Sequence, residues 1–117
     1  MVGVFFTNHL EKARYSPNIY YLFHGTIDNT ADYTANYLYL TTIDMNLNSG
    51  KGQVTSKNVI KIQDTLNSGR ITACKHGNGR DWWIIVRPTG FGSAINNNVF
   101  IKYLVDPWHI QGPFFNQ

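Results

Sequence analysis

Apolar side chains in this chain fall in short runs, at residues 2–6, 19–24, 37–44, 59–64, 71–76, 82–87 and 99–105. The three-and-four spacing of an amphipathic helix is nearly absent, and residues 9–14 form the one plausible helical turn. Between the runs lie segments rich in Gly, Asn, Ser and Pro, at 28–32, 46–52, 67–69 and 88–98. These are the residue types that reverse or interrupt a strand. Short strands punctuated in this way predict an all-β, antiparallel fold.

The stretch 71–87, ITACKHGNGRDWWIIVR, is written as a β-hairpin. Its Asn78-Gly79 pair is the strongest short hairpin signal, because a type I′ turn needs positive φ at both central residues. A reversal there sets His76 opposite Asp81 and Cys74 opposite Trp83. Thr72, Cys74, His76, Asp81, Trp83 and Ile85 then share one face, and Ala73, Lys75, Trp82, Ile84 and Val86 the other. Apolar and aromatic residues on both sides predict a central hairpin covered on both faces, with the lone Cys74 as a small buried hydrophobe. Cys74, His76 and Asp81 would suit a nucleophile, its base and an orienting acid. A covered strand denies them access and an oxyanion pocket. The expected role is structural, a His76–Asp81 hydrogen bond pinning a turn built from His76, Asn78, Gly79, Asp81, Trp82 and Trp83.

An offset of 62 residues lays 18–44 over 80–106 without a gap. Tyr20-Tyr21 falls on Trp82-Trp83, Leu22 on Ile84, Leu38 on Phe100, Ile43 on Val105 and Asp44 on Asp106. Fixed-period self-similarity marks repeat architectures such as propellers, whose blades take about 40–50 residues. A long loop at 46–57 accounts for the larger period here. The expected architecture is a β-propeller-like fragment of about two four-stranded blades. Residues 1–58 supply a partial blade of three strands plus the long loop, 59–105 a complete four-stranded blade, and 106–117 a tail leading to a missing next blade. A closed propeller takes roughly four to eight blades, so the chain reads as a fragment of a longer protein.

Composition narrows the chemistry. The 117 residues, 43% hydrophobic and 15% aromatic, are enough for one packed domain. Ten basic against seven acidic residues give a formal charge of +3, with no basic run, so nucleic acid is an unfavoured partner. A single cysteine excludes an internal disulfide framework and a multi-cysteine metal site. His9, His24, His76 and His109 are dispersed, without zinc-ligand spacing. Residues 44–50, DMNLNSG, mimic the opening of a calcium loop, but the glycine comes one place late and Thr55 stands where a bidentate glutamate belongs. An Asx/Gly turn leaving a strand is the better reading. No metal and no cofactor is expected. No apolar stretch approaches the roughly 18 residues of a membrane span, and residues 2–6 are too short for a signal peptide.

Four segments carry a family resemblance: YYLFH at 20–24, TTIDMNLNSGKGQV at 41–54, Lys57-Asn58-Val59, and ITACKHGNGRDWW at 71–83. In that order they resemble the WD-repeat-like β-propeller region of large secreted proteins of the Bacteroidetes. Those proteins often end in a type IX secretion sorting domain or a gliding-motility-associated domain. The similarity covers about residues 18–105. It implies a secreted or cell-surface propeller, a non-catalytic structural or binding module with no catalytic residues to carry over. Its partners would be neighbouring propeller blades of the parent protein and protein or glycan ligands met by the loops at 28–36, 46–56 and 88–98. Trp108, beyond Pro107, is the candidate exposed ligand contact. Bare strand edges and apolar blade faces lead to an expectation of self-association in the isolated chain. Two rivals are a small basic, aromatic-rich β-barrel binding nucleic acid, and part of a secreted carbohydrate-active enzyme.

Overall fold

The computed structural model describes residues 2–7, 19–26, 31, 34–88, 99–106 and 109–116, with the backbone alone at 2–7, 68 and 69. Seven strands form within them: β1 (Val2–Thr7), β2 (Ile19–Gly25), β3 (Thr34–Asp44), β4 (Gln53–Lys75), β5 (Trp82–Pro88), β6 (Phe100–Val105) and β7 (Ile110–Asn116). Each pairs antiparallel with its sequence neighbour, giving one meander ordered β1 to β7. Among the described residues there is no helix, and so none long and apolar enough to cross a membrane. The expected helical turn at 9–14 lies outside the described residues, as do most of the loops at 28–32 and 88–98.

The largest departure from the sequence pattern is β4. The pattern predicts strands at 59–64 and 71–76 with a turn at 67–69, whereas the chain runs through as one strand of 23 residues. Its earlier part pairs with β3, from Asp44↔Gln53 to Thr34↔Asn67. Its last part pairs with β5, from Ile71↔Val86 to Lys75↔Trp82. Between them, the step from Leu66 to Ile71 on β4 answers only the step from Pro88 to Val86 on β5. The surplus residues make a corner, so the Asn-Ser-Gly cluster bends the strand without reversing it. Asn67 Nδ2 donates to the Pro88 carbonyl across this gap at 3.2 Å, and Pro88 is fully buried there. The loop after β3 is shorter than 46–57, because strand resumes at Gln53. Nor is 106–117 a tail, since Ile110–Asn116 forms β7 at the edge of the sheet. Pro113 masks that strand in the sequence: proline removes a ladder donor, which an edge strand tolerates.

The corner folds the meander into two four-stranded halves that share β4, one made of β1–β3 with its start and one of its end with β5–β7. Phe23, Leu38, Leu40, Ile62 and Leu66 of the first half meet Ile84, Val86, Ile101, Tyr103 and Val105 of the second in one core. The Phe23 and Tyr103 rings lie 6.3 Å apart, and Tyr103 Oη donates to the Lys61 carbonyl at 2.7 Å. The short dimension of 16 Å accommodates two backbone layers about 10 Å apart together with their twist.

Strand register carries the internal repeat. The β2–β3 pairs Tyr20↔Ile43, Leu22↔Thr41 and His24↔Tyr39 become the β5–β6 pairs Trp82↔Val105, Ile84↔Tyr103 and Val86↔Ile101. Both partners advance by 62, from 20 to 82 and from 43 to 105.

Denaturant titration should show a cost of about 3–5 kcal/mol for Phe23→Ala, the price of a cavity between the halves. Tyr103→Phe should cost about 1 kcal/mol through the lost bond to Lys61. A near-zero change at Phe23 would mean that the halves do not pack on each other. Burial pushes the Tyr103 phenol from its ordinary 10.0 up to about 12, so Tyr103→Phe should remove an absorbance step near pH 12.

Candidate functional site

The β4–β5 hairpin keeps its predicted register, with Cys74 opposite Trp83 and Lys75 opposite Trp82. The His76 amide donates to the Asp81 carbonyl at 2.8 Å, and the Gly79 amide closes the turn onto the His76 carbonyl at 2.9 Å. Within the turn only Gly79 has positive φ, 75°, so the turn is not type I′. Asn78 works through its side chain instead. Its Oδ1 accepts from the Arg80 and Asp81 amides at 2.9 and 3.0 Å, and its Nδ2 donates to Asp81 Oδ2 at 2.7 Å.

Asp81 takes two further bonds from Arg80, Nε to Oδ1 at 2.6 Å and Nη2 to Oδ2 at 3.1 Å. The expected His76–Asp81 side-chain bond is therefore not formed. A guanidinium fork on the adjacent residue satisfies both carboxylate oxygens more strongly than an imidazole could, and His76 Nδ1 accepts from the Asn78 amide at 3.0 Å. The hydrogen bonds from Arg80 hold the Asp81 carboxyl below the usual carboxylate range, against burial that pushes it up.

The register that opposes Trp82 and Val105 also sets Asp81 across from Asp106, and both are buried. Asp106 accepts from the His109 amide and from His109 Nδ1, each at 2.8 Å, and from Gln111 Nε2 at 2.5 Å. Facing carboxylates are the equipment of glycoside hydrolysis, which needs one of them protonated at working pH. Here Asp81 is enclosed by Arg80 and Asn78 and Asp106 by His109 and Gln111, so both carboxylates fasten chain reversals. Asp44, the repeat counterpart of Asp106, accepts from the Asn46 amide at 2.9 Å in the Asx turn expected at 44–50. Among the described residues no group of three or more His, Cys, Asp and Glu is placed to hold a metal.

Cys74 is exposed, contrary to its reading as a buried hydrophobe, and so is Thr72. The hairpin is covered on one face only. On the outer face lie Trp83, Ile85 and Arg87 of β5, Phe100, Lys102 and Leu104 of β6, and Phe114 of β7. Trp83 and Phe114 meet edge to face at 6.1 Å. Lys102 Nζ sits 4.8 Å from the centre of the Trp83 ring, and the Arg87 guanidinium 5.8 Å from that of Phe100. Phe100 and Phe114 are 43% and 41% exposed. Beside them an open cleft of about 310 Å³ is bounded by Arg70, Thr72, Ile85, Arg87 and Phe100 among others. Reading both faces of the aromatic strands as covered conceals this surface; the alternation of Trp83, Ile85 and Arg87 is the signal that marks it. Trp108 lies outside the described residues.

The outer face of the first half is tyrosine-rich. Tyr37 and Tyr39 stack at 5.5 Å, and the His24 ring lies 5.6 Å from Tyr39. His24 is 3% exposed; its Nε2 is 3.0 Å from Thr41 Oγ1, and its Nδ1 has no hydrogen-bond partner. Burial lowers its pKa.

Four outcomes are expected. Gly79→Ala should cost about 1–2 kcal/mol through the left-handed backbone alone, because nothing lies within 4 Å of the added Cβ. Asp81→Asn should cost about 1–3 kcal/mol by leaving turn donors unmatched. Both are measured by thermal or urea unfolding. For His24 the folded pKa lies below its ordinary 6.5, so the unfolded chain takes up the proton first. Stability should then fall as pH drops below 6.5, and His24→Gln should flatten that part of the profile. The depressed Asp81 acts lower: its contribution is present above 3.8 and is lost as pH falls further.

Compared with protein-family models, with curated proteins and with solved structures, the chain matches none.

Proposed function

We propose that this chain is a non-catalytic β-sheet binding module, propeller-like in its repeat of four-stranded halves, belonging to a secreted or cell-surface protein. Its working surface is the outer face of β5–β7. One observation carries the reading: Trp83, Phe100 and Phe114 share an exposed sheet face with Arg87 and Lys102 set over their rings. Large rigid aromatics with an arginine among them are the composition of binding hot spots, and this supports a protein partner ahead of a glycan. The side chains support an absence of catalysis. Asp81 and Asp106 are occupied in turns, and His76 Nδ1 is taken up by the Asn78 amide and not by Cys74. The secreted or surface setting, and the propeller reading, draw on the resemblance of residues 18–105 and on the matched register of β2–β3 and β5–β6.

Arg70, Arg87 and the cleft they border beside Phe100 favour a second reading, single-stranded nucleic acid stacked on the rings with its phosphates on the cations. Titration of an oligonucleotide across salt concentrations separates the two. Phosphate contacts give a log–log slope of about −0.7 for each cation engaged, and a protein or glycan ligand does not.

A glycan array run beside a glycosidase assay should give no turnover. Any capture of ligand should fall roughly tenfold or more in Trp83→Ala. Hydrolysis of any substrate, or capture unmoved by Trp83→Ala, would overturn the reading.

A further inference from the structure

We infer that the cleft beside Phe100 takes a carboxylate of an extended acidic peptide between Arg70 and Arg87, with Lys102 meeting the carboxylate two residues along. The inference rests on the binding-face reading above and names the chemistry of the protein partner.

Charge is divided unevenly between the two halves. Residues 1–64 carry five Lys and Arg and five Asp and Glu, and are neutral. Residues 65–117 carry five Lys and Arg against two Asp, so the whole formal charge of +3 lies in the second half. The two carboxylates there, Asp81 and Asp106, are buried and bonded within their turns. Asp81 stands six residues before Arg87, about 20 Å along an extended chain. Of the five cations, Arg80 is committed to Asp81 and Lys75 lies over Trp82. Arg70, Arg87 and Lys102 belong to the outer face.

Strand register sets these three together. Arg70 and Arg87 stand one step beyond the pair Ile71↔Val86 and border one cleft of about 310 Å³ with Thr72, Ile85 and Phe100. Among the described residues its lining holds two guanidinium groups and no carboxylate. Arg70 and Thr72 are exposed, and Phe100 is 43% exposed, so the cleft is open to a ligand. Like charges on neighbouring strands repel. A carboxylate placed between them relieves the repulsion and accepts paired bonds from the guanidinium fork. Arg87 comes opposite Phe100, one step beyond Val86↔Ile101, and Lys102 is two residues further along β6. Diagonal neighbours of this kind lie about 7–8 Å apart. Side chains two residues apart on an extended chain point the same way at about 7 Å, so acidic residues at alternate positions match Arg87 and Lys102 together.

The rings favour a peptide over a nucleic acid. Bases bind such surfaces by stacking on ring faces, and here cations stand over them, Lys102 Nζ 4.8 Å from the centre of Trp83 and the Arg87 guanidinium 5.8 Å from that of Phe100. A guanidinium packed by its face on a ring keeps its N–H donors in its own plane, where a carboxylate can accept them.

Fluorescence anisotropy with the labelled peptides TETETE and TQTQTQ, and with oligothymidylate, tests this. TETETE should bind about tenfold or more tighter than TQTQTQ, and Arg70→Gln and Arg87→Gln should each weaken it about tenfold. Lys57→Gln removes the same charge from an exposed site in the neutral half and should change binding by less than about twofold. Thermal unfolding checks each variant. Should Arg87→Gln not fold, Arg87→Lys takes its place, and loss of the fork should then weaken TETETE about threefold. Equal binding of the two peptides, an equal loss in Lys57→Gln, or oligothymidylate bound more tightly than TETETE would overturn the inference. So would no binding of TETETE at all. That result leaves the binding-face reading standing, since that reading falls on the separate result that ligand capture is unmoved by Trp83→Ala.

Discussion

A strand that hydrogen-bonds to β3 along its first part and to β5 along its last must bend where it changes partner, and β4 does so between Leu66 and Ile71. Without that bend the meander would be an open ribbon with both faces wet. With it, Phe23 on β2 comes against Tyr103 on β6, although three strands lie between them in the sheet. The core thus depends on a local surplus of residues in one strand. The ladder interrupted by that surplus is partly made good by Asn67, whose amide reaches the Pro88 carbonyl, so the corner is held by a hydrogen bond as well as by the burial of Pro88.

The strand ends remote from the corner face a different problem. Asp81 and Asp106 oppose each other across the β5–β6 ladder, and like charges so placed repel. Each is matched locally, Asp81 by Arg80 and Asn78, Asp106 by His109 and Gln111. The matched carboxylates fix the hairpin from which the two tryptophans diverge. Trp82 packs against the core while Trp83 goes to the outer face, where Lys102 and Phe114 meet it. Adjacent residues of one strand are thereby sent one to the core and one to the outer face.

The corner in β4 that builds the core also decides which sheet faces are left outside it. An apolar face is normally hidden by the element it packs on, and each half of the meander turns one face to the other half and one away from it. The aromatic surface of β5–β7 and the tyrosine-rich surface of β2–β3 are the consequences of that geometry in this chain.

The sequence alone determined the all-β antiparallel class, the register of the β4–β5 hairpin and the 62-residue repeat, because each rests on local alternation and turn chemistry. It also pointed to the Asx turn after Asp44. Three matters were left to the tertiary structure. The residues at 67–69 signal an interruption, but whether the chain reverses or bends depends on which strand waits beyond it. Cys74 and Trp83 alternate with core residues like any covered strand, and their exposure follows only from which face the other half occupies. Asp81 chose Arg80 over His76 because the geometry of the turn, more than the pairing of the strands, brings the guanidinium within reach. Period-two patterning tells which residues share a face; only the packing of the two halves tells which face is inside.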